Sequence, residues 1–72
     1  MRLKINGKFR EFELQASPGG ELSLALLLKI LEIKTETVAL EVNERVIERE
    51  NWSSYHLHPE DSVEVMKFVG GG

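Results

Sequence analysis

Cysteine is absent from all 72 residues, and its absence removes disulfides, thiolate metal sites, thiol redox chemistry and a cysteine nucleophile together. A chain near the lower size limit for one core must then hold its fold by packing alone. Long hydrophobic runs are lacking as well. The longest apolar stretch, Leu24 to Leu28, is far too short to span a bilayer. Met1 leads directly into strand-like sequence, so no signal peptide is expected and the default is a cytoplasmic monomeric domain. No excess of positive charge exists: nine Lys and Arg against twelve Asp and Glu give a net charge of -3, with the signs interleaved, which argues against binding a phosphate backbone. Neither nucleic acid nor a membrane is an expected partner. What is present, 42% hydrophobic and 29% charged residues, suits one small globular domain.

Arg2-Leu3-Lys4-Ile5 alternates polar and apolar at period two. Asn6-Gly7 then supplies a dipeptide that tolerates positive φ at both centres of a two-residue hairpin. The returning strand is expected from Lys8 to about Leu14, with Phe12 and Leu14 facing the core and Phe9 near an edge. Ser17-Pro18-Gly19-Gly20 cannot continue a strand and predicts a loop that opens a helix. From Leu24 to Glu32, steps of 100° gather Leu24, Leu27, Leu28, Ile30 and Leu31 on one broad arc opposite Ala25, Lys29 and Glu32. Ser23 is the expected N-cap. Leu26, at the margin of the arc, is the helix leucine expected to be partly exposed.

Thr37 to Val42 has strand composition, Asn43-Glu44 reads as a turn, and Arg45-Val46-Ile47 returns as a short strand. Trp52, Tyr55 and Leu57 are spaced to cover one end of the core, Pro59-Glu60-Asp61-Ser62 turns the chain, and Val63 to Phe68 forms a last strand. The first and last strands flank a helical crossover and can pair in parallel in the middle of one mixed sheet. The expected architecture is α+β, a β-grasp of four to five strands packed on one main helix.

Other motifs carry less chemistry. His56 and His58 could point to one side of a strand, but no third well-placed ligand accompanies them and structural zinc needs four. Ser53 and Ser54 beside His56 read as turn residues, since a triad is rarely built from immediate neighbours. Gly19-Gly20 lacks the Lys and Ser or Thr of a phosphate loop. Trp52 is expected as a core cap with its indole N–H bonded at the surface. Arg49 and Glu50 are expected on a solvated face.

The last strand runs through Val69 into Gly70-Gly71-Gly72. Without Cβ atoms such a segment is narrow and conformationally permissive, able to thread a channel and present the Gly72 carboxylate to another protein's active site. Residues 1-68 are therefore expected to form the domain and residues 69-72 a flexible glycine tail.

This order, with a strand leading directly into terminal glycines, resembles the ubiquitin-like sulfur carriers over the whole chain. It is most similar to the ThiS family through the Asn6-Gly7 hairpin, the Val42-Asn43-Glu44-Arg45-Val46-Ile47 hairpin, the Arg49-Glu50-Asn51-Trp52 run and the ending Phe68-Val69-Gly70-Gly71-Gly72. The neighbouring MoaD family shares the fold and terminus but usually has a longer first helix region and a proline-bearing approach to its glycines. Both families commonly have Asp-Gly-Asp before the last strand, where this chain has Pro59-Glu60-Asp61-Ser62. The resemblance implies that the protein is not an enzyme but a co-substrate in thiazole synthesis for thiamine. An E1-like adenylating enzyme would activate Gly72 with ATP, and a cysteine desulfurase-derived sulfur source would convert it to a thiocarboxylate that donates to thiazole synthase. No cofactor is expected on this chain, since ATP is used by the partner. Phe68 and Val69 are the nearest apolar candidates for anchoring that partner, with Gly70 and Gly71 threading the tail. The alternatives are a carrier for molybdopterin or another sulfur pathway, a ubiquitin-like protein modifier, and a plain interaction module with an incidental tail.

Overall fold

The computed structural model describes residues 1–13 and 21–68. The elements are β1 (Arg2–Ile5), β2 (Lys8–Glu11), α1 (Leu24–Ile30), β3 (Val38–Val42), β4 (Arg45–Ile47) and β5 (Ser62–Lys67), with short 3₁₀ turns at Thr35–Thr37 and Arg49–Asn51. The five strands form one mixed sheet in the order β2-β1-β5-β3-β4, in which β1 and β5 run parallel at the centre and every other pair is antiparallel. This is the β-grasp arrangement that the order of elements predicts. No helix among the described residues is long and apolar enough to cross a membrane.

Both hairpins turn where expected, and both need left-handed backbone at two consecutive residues. Asn6 and Gly7 have φ 48 and 85, and Asn43 and Glu44 have φ 50 and 69. The first turn uses the residue that has no Cβ to clash, whereas the second puts a glutamate there. β2 ends at Glu11, although one further residue pair still bonds across the hairpin: the Phe12 N–H donates to the Met1 carbonyl at 2.8 Å, and the terminal amine donates to the Phe12 carbonyl at 2.7 Å. Phe12 is buried and Phe9 exposed, as the alternation predicts. Leu14 and the Ser17-Pro18-Gly19-Gly20 loop lie outside the described residues.

Helix α1 is only seven residues long, too short to persist by propensity, so its tertiary contacts hold it. Leu24, Leu27 and Leu28 are fully buried against Leu3, Leu40 and Val63 of the sheet, each worth roughly 1.5–3 kcal/mol of burial. The Ser23 hydroxyl accepts from the Leu26 N–H at 3.1 Å, confirming the cap. Leu26 is half-buried, also as expected. Ile30 departs from expectation: it is 44% exposed. Steps of 100° place it about 120° from Leu24, outside the stripe that the sheet covers, so the buried arc is narrower than the expected one.

The helix stops at a left-handed residue. Glu32 has φ 59, its N–H donates to the Lys29 carbonyl at 3.1 Å, and the Ile33 N–H donates to the Leu28 carbonyl at 2.9 Å. These two bonds form a Schellman cap whose special position, usually glycine, is occupied by glutamate. Thr37, expected at the head of β3, instead closes the preceding 3₁₀ turn. Its N–H and hydroxyl both donate to the Lys34 carbonyl, at 3.1 and 2.6 Å.

Candidate functional site

Alternation along β5 sends Val63 and Val65 toward the helix and Glu64 and Met66 to the uncovered face of the sheet. The register places Met66 beside Ala39 of β3, and Glu41 of β3 opposite Val46 of β4. Phe68 extends this row by one step, its N–H donating to the Thr37 carbonyl at 3.0 Å. Val46 is 61% and Phe68 64% exposed, and Met66 is exposed too. Ala39, Val46 and Phe68 share a hollow of about 180 Å³ that reaches down to Trp52. The uncovered face thus carries a cluster of large apolar side chains at the end of β5 from which the glycine segment continues.

Of the residues assigned to partner binding from the sequence, Phe68 therefore lies on an exposed apolar patch. Val69, Gly70, Gly71 and Gly72 lie outside the described residues. Val46 and Met66 belong to the patch and were missed. Met66 was detectable, because it stands two residues before Phe68 on the same face of a strand. Val46 was not, because its place depends on the pairing of β4 with β3.

A polar bracket stiffens the wall of this hollow. Trp52 is buried, and its indole N–H donates to the Ile47 carbonyl at 2.8 Å, so the core-cap reading holds. Arg49 is not simply part of a solvated face. Its guanidinium lies 5.1 Å from the Trp52 ring and donates to the carbonyls of Thr35 at 2.8 Å and Val38 at 3.3 Å. One fork of N–H donors ties the entrance of β3 to the turn after β4, an arrangement that the point charge of lysine would not reproduce.

The two histidines do not converge. His56 Nε2 is 3.4 Å from Glu21 Oε2, while His58 Nδ1 is 3.9 Å from Asp61 Oδ2. Among the described residues no group of three His, Cys, Asp or Glu is placed to hold a metal ion. Ser54 donates its hydroxyl to the Asn51 carbonyl at 3.2 Å, as a turn residue does. At the far end of the sheet, Arg2 donates to both carboxylate oxygens of Glu60, at 2.9 and 2.8 Å. That hydrogen bonding, with the accompanying charge attraction, holds the Glu60 carboxyl below the usual carboxylate range and raises the Arg2 guanidinium.

The geometry can be set beside known proteins. A crystal structure of the thiamine biosynthesis protein ThiS from Geobacter metallireducens superposes with a TM-score of 0.81 at 33% identity, covering all of both chains. A solution structure of a thiamine biosynthesis protein from the same organism gives 0.76 at 33% identity, covering all of this chain and 88% of the other. An uncharacterized protein, ycf40, of Porphyra purpurea is 35% identical over 51 residues, or 71% of this chain and 72% of that one. Its counterpart in Pyropia yezoensis is 37% identical over the same length and shares. The ThiS family model matches residues 3–72, and the chain belongs to the ThiS family.

Proposed function

We propose that this protein is a sulfur carrier for the thiazole of thiamine, acting as a co-substrate rather than as a catalyst. The observation that carries the reading is the family match, which extends through the glycine segment to Gly72. Support comes from the apolar patch of Val46, Met66 and Phe68 at the end of β5, where a partner can grip the domain while the following residues enter its active site.

In this reading residues 1-68 are the recognised body and residues 69-72 the tail. A carboxylate is a poor acyl electrophile. One Gly72 oxygen attacks the α-phosphorus of ATP held by an E1-like adenylating enzyme, pyrophosphate leaves, and the resulting acyl-adenylate has a good leaving group. A sulfur nucleophile then adds at the Gly72 carbonyl and expels AMP. If the nucleophile is hydrosulfide, the thiocarboxylate forms directly. If it is a persulfide of the donor, the product is an acyl disulfide; a second thiol of the sulfur-supplying protein attacks its donor-side sulfur, forming a disulfide there and leaving the Gly72 thiocarboxylate for thiazole synthase. The sulfur travels on the main chain, so the carrier needs no thiol of its own, and it has none. Gly70 and Gly71 thread the tail, with Phe68 and Val69 as anchors beside it.

The test is the intact mass of the protein after incubation with the adenylating partner, ATP and a sulfur donor. A gain equal to sulfur replacing one oxygen, localised to Gly72 and dependent on ATP, is expected. An unchanged mass with a partner proven competent on another carrier overturns the reading. Ladders of isopeptide-linked targets in cells would favour a protein modifier.

A further inference from the structure

On the side of the sheet that carries the helix, α1 stops short of the corner formed by the end of β1 and the second half of β5. Leu31, Ile33 and Val65 line a cleft there of about 470 Å³. A second hollow, of about 430 Å³, adjoins it along Ile33 and Lys67. Three cations stand around this continuous groove: Arg10 from β2, Lys34 from the connection after the helix, and Lys67 from the end of β5. Among the described lining residues the only carboxylate is Glu32. None of the three cations is in an ion pair among the described residues. On a chain whose net charge is -3, this is a locally positive rim around an apolar floor, on the opposite face of the sheet from Val46 and Met66.

We propose that this groove is a second docking surface, and that its occupant is an acidic polypeptide segment of a partner protein bearing apolar anchor side chains. Charge complementarity selects the acidic character, because carboxylates can meet Arg10, Lys34 and Lys67 at the rim. The floor of Leu31, Ile33 and Val65 requires apolar anchors, which a nucleic acid backbone does not supply. The two hollows run from the β1–β2 hairpin to Phe68, a span suited to an extended segment rather than to a small anion. Because Lys67 directly precedes Phe68, a segment seated here would approach the root of the glycine tail from the face that the patch of Val46 and Met66 leaves open.

A displayed library of random ten-residue peptides, selected against the full chain, tests the proposal. Enrichment of sequences combining Asp or Glu with large apolar residues is expected. The selected peptides should perturb the amide resonances of Ile33, Lys34 and Lys67, and should lose roughly 10-fold or more in affinity when Lys34 and Lys67 are both changed to Glu. Lys34→Glu alone, in an exposed connection, guards against misfolding of the double variant and should weaken binding in the same direction. Failure to enrich any sequence, a consensus without acidic residues, or perturbations confined to Val46 and Met66 would overturn it. So would equal perturbation of the groove by a simple fatty carboxylate, which would make it a small-anion site.

Discussion

The Asn6 side-chain oxygen accepts a hydrogen bond from the Val65 N–H at 2.7 Å. β1 and β5 are the parallel pair at the centre of the sheet, but β1 reverses at Asn6 while β5 runs on toward the tail. The side chain of the turn residue thereby supplies the acceptor that a continuing β1 would have supplied from its main chain. Asn43, at the same position of the other hairpin, does likewise: its oxygen accepts from the Ser62 N–H at 3.0 Å and its amide donates to Asp61 at 3.0 Å. The two asparagines fasten different stretches of β5, one from each neighbouring hairpin.

Asn6→Gly should therefore cost about 1 kcal/mol, the net worth of one hydrogen bond, even though glycine suits the turn conformation. Asn6→Asp, which retains an acceptor, should lose less. Urea unfolding of the three proteins, together with hydrogen exchange at Val65, measures both. Equal stability of wild type and Asn6→Gly would show that the side-chain bond contributes nothing.

Glu60 has φ 73 in the turn before β5, a left-handed position that glycine fills without strain. The conformation is unfavourable for a residue with a Cβ, and the bidentate Arg2 contact is what this chain has in its place. Because that contact is solvent-exposed, it offsets little. Glu60→Gly should leave the thermal midpoint unchanged or raise it by a few degrees, whereas Glu60→Ala, which keeps the backbone strain and loses the pair, should lower it. The pH dependence has a definite sign. Arg2 lowers the folded-state pKa of Glu60, so the contribution is present above the ordinary carboxylate range and lost as pH falls through the depressed value. The gap between wild type and Glu60→Ala should close on acidification.

At the end of α1 an acid again occupies a left-handed position, here without a compensating ion pair among the described residues, since Glu32 sits at the left-handed position of the Schellman cap. Glu32→Gly should stabilise the protein by about 0.5–1 kcal/mol, after allowing for the greater freedom of glycine in the unfolded chain. A shift of the urea midpoint to lower concentration would contradict this.

These glutamates show where reading the sequence succeeds and where it stops. Asn6-Gly7, Ser23 and the β1–β5 pairing were legible because each rests on a local conformational preference or on element order. Glu32, Glu44 and Glu60 take up left-handed backbone that their residue type does not announce, because the surrounding structure imposes it. Arg49 was legible only as a surface charge, since its acceptors lie 11 and 14 residues away in the chain. Ile30 is apolar and adjoins the leucine arc in the sequence pattern, yet only Leu24, Leu27 and Leu28 are fully covered by the sheet, so its exposure is not legible from periodicity. In the candidate site, Phe68 could be singled out for its place before the glycines, but the cluster it completes depends on the registers of β3 with β4 and with β5.

That cluster leads to the prediction closest to function. Phe68 is largely exposed and Met66 partly so, so polar replacements there remove little buried area and should shift stability by no more than about 0.5 kcal/mol. If the patch grips the activating enzyme, truncating a central apolar anchor should weaken the complex by about 2 kcal/mol or more. Phe68→Ser and Met66→Ser should each lower kcat/KM for ATP-dependent activation of Gly72 by roughly 10-fold or more, with unchanged circular dichroism and unfolding midpoint. Lys4→Ser, on the same uncovered face but three strands from Val46, controls for nonspecific surface effects and should leave the rate as it was. Activation of Phe68→Ser and Met66→Ser at the wild-type rate would remove the patch from the binding surface and leave recognition to the tail alone.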